Sequence, residues 1–127
     1  MPIRWTLSHA EHLVLSKVTG EVGRAEFEGY LGEIAAAGAM PYRKILDLTF
    51  APLGLSAADV KVLGKVVSDY AKSGRIGAFA IVVDADATRE ASAIFGENAQ
   101  VDRPFAIFDK MAEARAWLDR IDPPPKA

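Results

Sequence analysis

The chain has 127 residues, half of them apolar and a quarter charged, the size and balance of one globular domain that can bury its own core. It has no cysteine, which excludes disulfides, thiolate nucleophiles and Cys-based zinc sites and fits a reducing compartment. The net charge is −2, the sequence pI is about 5.7, and the basic residues are scattered, so no basic stripe exists for nucleic acid. The opening residues MPIRWTLSHAEH lack the apolar run of a signal peptide. The longest apolar run, Ile76–Val83, is far too short to cross a bilayer. A cytoplasmic protein without a membrane span or a nucleic-acid partner is expected.

Ile3, Trp5 and Leu7 alternate with Arg4, Thr6 and Ser8, the period of a half-buried strand. Leu13–Val18 reads as a second strand after the polar turn His9-Ala10-Glu11-His12, a gap short enough for an antiparallel hairpin. The period then changes. Phe27, Tyr30, Leu31 and Ile34 make an amphipathic helical stripe, closed by Gly38 and Pro41. Lys44–Phe50 is β-rich, interrupted by Asp47. Ser56-x-x-Asp59 has the form of a capping box, with Val60, Leu63, Val67 and Tyr70 as the stripe behind it and Gly74 as the stop.

Gly77–Val83 is an almost continuous apolar run, as in a strand covered on both faces. Thr88 is placed to cap a third helix carrying Ala91, Ile94 and Phe95. Pro104–Phe108 is a short strand, and Asp109 is placed to cap a last helix carrying Ala114, Trp117, Leu118 and Ile121. The predicted order is ββαβαβαβα: a single α/β domain over residues 1–122 whose sheet is mixed, an antiparallel hairpin followed by parallel strands. A flexible Pro-rich tail, residues 123–127, is expected after it. In such sheets ligands bind beyond the carboxyl ends of the parallel strands, which points to the Thr49–Ser56 loop, the Asp84–Thr88 loop and the Phe108–Asp109 turn.

The hairpin start, the strand KILDLTF, the helix opening LSAAD, the strand GAFAIVV and the ending FAIFDKMAEARAWLDRI together resemble SpoIIAA-like proteins. These belong to the STAS-like group, named for sulfate transporters and anti-sigma factor antagonists and related to Sec14-type lipid-binding folds. The resemblance covers nearly the whole chain and implies a non-catalytic regulatory domain that binds a protein partner. Anti-sigma factor antagonists carry a short Asp-Ser-Ser-Gly-type turn after the corresponding strand, and a partner kinase phosphorylates its serine. A phosphate there switches partner binding through charge. This chain has Ala51-Pro52-Leu53-Gly54-Leu55 at that place, with no hydroxyl in the middle. Ser56 is the nearest candidate for phosphorylation, and its simpler reading is a helix N-cap.

Three other constellations carry chemistry on paper. Asp84-Ala85-Asp86-Ala87-Thr88 follows a strand and resembles the D-x-D-x-T motif of haloacid-dehalogenase-type phosphatases, in which the first Asp is the nucleophile and the second the acid/base. It sits late in the chain, with only 39 residues after Thr88 and no acidic pair after a strand among them, and it also reads as a strand-end turn with a helix cap. A receiver-like aspartyl site of Asp47, Asp84 and Lys110 lacks the required acidic pair; Asp47 is expected to pair with Arg43 or Lys44, or to accept from a loop amide. His9, Glu11 and His12 crowd into one turn without room for supporting ligands, so no metal is expected. No phosphate-binding glycine loop and no Ser–His–acid set is legible, and no cofactor is expected.

The residues expected to carry binding are therefore Thr49, Phe50, Leu53, Leu55 and Ser56. Contiguous apolar side chains in a loop suit a protein partner or a second copy of the chain as a homodimer. A small-molecule or lipid ligand is the alternative, in line with the Sec14 relationship, and phosphotransfer on Asp84 and Asp86 is the third reading.

Overall fold

A computed structural model describes residues 3–50, 56–72, 74–84, 86–98 and 103–124. Its elements are β1 (Ile3–Ser8), β2 (Leu13–Thr19), α1 (Arg24–Ala36), β3 (Arg43–Phe50), α2 (Ala57–Ala71), β4 (Phe79–Val82), α3 (Asp86–Asn98), β5 (Phe105–Phe108) and α4 (Met111–Ile121). This is the mixed α/β order ββαβαβαβα that the periodicities predict. The five strands lie side by side in chain order, β1-β2-β3-β4-β5. β1 and β2 are antiparallel, with Ile3 opposite Val18 and Ser8 opposite Leu13; β2–β3, β3–β4 and β4–β5 are parallel.

Each parallel step moves one strand further in the same direction, so right-handed crossovers put α1, α2 and α3 on one face. That front face buries Val14, Val18, Leu46 and Ile81 against Phe27, Tyr30 and Ile34 of α1, Leu63 of α2 and Phe95 of α3. The back face carries α4, whose Ala114 and Leu118 bury Ile45, Ala80 and Val82. Trp117 packs on Phe108 with ring centroids 5.5 Å apart.

Local chemistry sets the element ends. α1 closes as the glycine stop predicts. Gly38 has φ +72, and the amides of Gly38 and Ala39 donate to the carbonyls of Ala35 and Ile34, each at 3.0 Å. Gly77 is required for another reason: a Cβ there would stand 2.2 Å from the Tyr42 carbonyl oxygen. Two expected caps are corrected. α3 starts at Asp86, so Thr88 lies inside its first turn, buried, with its carbonyl accepting from Ser92 Oγ at 2.8 Å. Lys110, not Asp109, is the N-cap of α4, and no side chain bonds there. Asp109 instead pairs with Arg89 of α3, a partner the local sequence does not reveal.

Candidate functional site

The carboxyl ends of β3, β4 and β5 share one edge, and of the expected binding residues Thr49 and Phe50 end β3 there and Ser56 starts α2. Thr49 is half-buried at the end of β3. Its amide and hydroxyl both donate to Asp47 Oδ1, at 3.0 and 2.7 Å, which satisfies one carboxylate oxygen within three residues of chain. Of the partners expected for Asp47, the amide is the one observed, supplied by Thr49. Arg43 and Lys44 are out of its reach for geometric reasons. Lys44 is an odd number of residues away and so faces the other side of the sheet. Arg43 shares the face but lies four residues, about 13 Å, down the strand.

Ser56 is the N-cap of α2 and is exposed. Its Oγ accepts from the Asp59 amide at 3.1 Å, and the Ser56 amide donates to Asp59 Oδ2 at 3.4 Å. The reciprocal capping box is present with aspartate as its third residue. Asp59 also lies 3.8 Å from Arg24 of α1, so the start of α2 combines an exposed hydroxyl, free backbone amides and a nearby cation. Phe50 ends β3; its side chain, and all of Leu53 and Leu55, lie outside the described residues.

The other candidates separate. Asp47 is level with Val82 of β4, so Asp84 lies two residues further out, where it is exposed. Asp86 opens α3. Lys110 is exposed at the start of α4. Among the described residues no three His, Asp or Glu side chains converge in a way that could hold a metal. At the opposite edge, His9 Nδ1 lies 2.8 Å from the Tyr42 hydroxyl and His12 stacks on the Tyr42 ring at 4.5 Å. Glu11 turns away from both and pairs with Arg115 at 2.8 Å. The histidines thus clamp Tyr42 and fasten the hairpin turn.

Two features escape sequence reasoning. Arg43 is only 2% exposed; its guanidinium meets Asp119 at 2.7 Å and donates to the Glu11 carbonyl at 3.0 Å. Lys44, 3% exposed, donates through Nζ to the carbonyls of Met40 and of Tyr42, the latter at 2.8 Å. Burial, and then the nearby Arg103 charge, push the Lys44 ammonium down from 10.5 to about 7, against the pull of Asp122. The second is an apolar cavity of about 60 Å³ between the front face and α1–α3. Tyr30, one of its lining residues, pairs through its hydroxyl with Ser16, a buried polar residue of β2.

The geometry has counterparts among solved structures. An uncharacterised protein of the DUF3478 family with a SpoIIAA-like fold, from Shewanella loihica PV-4, superposes with a TM-score of 0.60 at 20% identity, over 91% of this chain and 93% of that one. The anti-sigma factor antagonist SpoIIAA in its unphosphorylated form gives 0.60 at 19% identity, over 94% and 99%. The chain has the SpoIIAA-like fold. An anti-sigma factor antagonist from Mycobacterium paratuberculosis gives 0.58 at 18% identity, over 91% and 92%. No family model matches the sequence, and no curated protein matches it. Among the described residues no helix is long and apolar enough to cross a membrane.

Proposed function

We propose that this SpoIIAA-like chain is a non-catalytic regulatory domain of the cytoplasm that works by binding a protein partner, with a second copy of itself among the candidates. The contact is the edge formed by the end of β3, the following loop with Leu53 and Leu55, and the first turn of α2. The observation that carries the reading is the exposed Ser56 N-cap of α2, the next element after β3, in a fold shared with two anti-sigma factor antagonists.

The same position supports control by phosphorylation. A phosphate on Ser56 would sit at the positive end of α2, where the Asp59 amide already donates to the Ser56 oxygen. It would also repel Asp59 and draw Arg24 from that carboxylate. A switch of partner affinity through local charge follows, with no catalytic step in the domain itself.

The experiment is native mass spectrometry of the freshly purified protein and of a complex captured from lysate. A dimer or a defined heteromer is expected, weakened by Leu53→Asp with Leu55→Asp and altered by Ser56→Asp. A monomer that captures no partner, or a complex indifferent to both changes, refutes the reading. Incubation with a cognate kinase should label Ser56; loss of the label in Ser56→Ala identifies the residue.

A further inference from the structure

The amino ends of the parallel strands carry two cations that the fold leaves unmatched. Lys44, the second residue of β3, is the register partner of Phe79 in β4, and register partners in a parallel pair point to the same face. The Arg103 guanidinium lies over the Phe79 ring, 4.9 Å from its centroid. Lys44 and Arg103 thus flank one aromatic side chain.

Arg43 shows how this fold treats a buried cation when a carboxylate is at hand: Asp119 meets it at 2.7 Å. Among the described residues neither Lys44 nor Arg103 forms an ion pair. Lys44 Nζ donates to the Met40 and Tyr42 carbonyls, which leaves one hydrogen of the ammonium over. Arg103 Nη2 is buried and bonds to nothing, which leaves its two donors over as well. Asp122 is the carboxylate whose charge acts on Lys44, but its oxygens are engaged elsewhere. Oδ1 pairs with Arg75 at 3.6 Å, and Oδ2 accepts from the Ala78 amide at 3.5 Å. Burial, and then the Arg103 charge, hold the Lys44 ammonium at about 7, and burial brings Arg103 from 12.5 to about 10. A buried charge without a counter-ion is costly, and an anion bound by both groups offsets the cost of each.

We propose that Lys44 and Arg103 form a binding site for a doubly charged phosphate group. Guanidinium N–H groups match phosphate oxygens, the remaining Lys44 hydrogen adds a point charge, and two cations balance two negative charges. Arg103 is half-buried, which puts the pair at the rim of the domain, where a movement of that side chain admits a dissolved phosphate. Binding favours the charged form of Lys44, so the ligand arrives with a proton. The site lies at the amino ends of β3 and β4 and the partner contact at the carboxyl end of β3, so either can fail without the other.

The test is calorimetric titration at pH 8.5 with methyl phosphate and with inorganic phosphate, against sodium chloride of equal ionic strength. A phosphate ester loses its second proton near about pH 6, so methyl phosphate stays doubly charged and any proton taken up belongs to the protein. Saturable binding is expected, with most of one proton taken up per ligand, read from two buffers of different ionisation heat. Equal affinity for the two ligands shows that an ester is accepted; preference for inorganic phosphate marks the free ion. Arg103→Gln should weaken methyl phosphate about thirtyfold, and Lys44→Met about tenfold with loss of the proton uptake. Lys61→Gln, which removes an exposed cation of α2, should change neither. If Lys44→Met does not fold, Arg103→Gln decides alone. The proposal is overturned by heats no larger than those of chloride, by binding that Arg103→Gln leaves intact, by an equal loss in Lys61→Gln, or by proton uptake that Lys44→Met does not remove.

Discussion

Lys44 makes the stability of this fold depend on pH in an unusual direction. In the unfolded chain its ammonium titrates near 10.5, and in the folded protein burial first, then Arg103, brings it to about 7. Between those values the folded state holds fewer protons than the unfolded state, so stability rises with pH. Each pH unit inside the window contributes about 1.4 kcal/mol. From pH 7 to pH 9.5, after rounding at the lower end, the gain is about 3 kcal/mol. Tyr30 is displaced upward from 10.0 and does not interfere below pH 9.5. Lys44→Met keeps the length of the side chain and removes the proton. Urea unfolding of both proteins at pH 7, 8 and 9.5 isolates the lysine as the difference between two curves. Wild type should gain about 3 kcal/mol more than the variant across that range. Parallel curves would show that Lys44 stays charged, held by the Met40 and Tyr42 carbonyls, and the argument from burial would fail.

Three further outcomes are expected. Ser56→Ala removes the N-cap of α2 and should cost about 1 kcal/mol in urea unfolding, whereas Ser56→Asp, which also caps, should cost a few tenths. Gly77→Ala drives a Cβ into the Tyr42 carbonyl, with 2.2 Å between them, and should lower stability by about 2–3 kcal/mol or more through a forced backbone shift. Asp119→Ala leaves the buried Arg43 guanidinium without its carboxylate and should cost about 2–4 kcal/mol in thermal or chemical unfolding, against about 1 kcal/mol for Asp119→Asn, which keeps an acceptor.

Much of this architecture is legible in local periodicity. Phe27, Tyr30 and Ile34 are spaced for one helical face and are buried on it; Ser56 and Asp59 are spaced for a capping box and form one. Both signals depend only on neighbours a few residues away. The misread features depend on residues far off in the chain. Asp109 leaves the helix start because Arg89, on α3, reaches it. Lys44 looks like a solvated strand end; it is covered because Gly77 lets the 75–78 segment close on the Tyr42 carbonyl. The cavity is less legible still, since every side chain on its wall fits an ordinary core. At the candidate site, the cap and the Asp47–Thr49 turn are local and readable, while Leu53 and Leu55 lie outside the described residues.

The sequential strand order has a consequence for how the chain can assemble. Every strand pairs only with strands adjacent in sequence, so the sheet can grow from β1 to β5 without waiting for a distant segment. The back face is different. Its core forms only when α4 docks, and α4 then reaches back to the beginning: Asp119 to Arg43, and Arg115 to Glu11 in the first hairpin turn. A growing chain would thus carry a nearly finished sheet with Leu13, Ile45 and Val82 exposed until α4 arrives. The helix acts as a latch, and the interval before it closes is when a nascent chain is most exposed to aggregation.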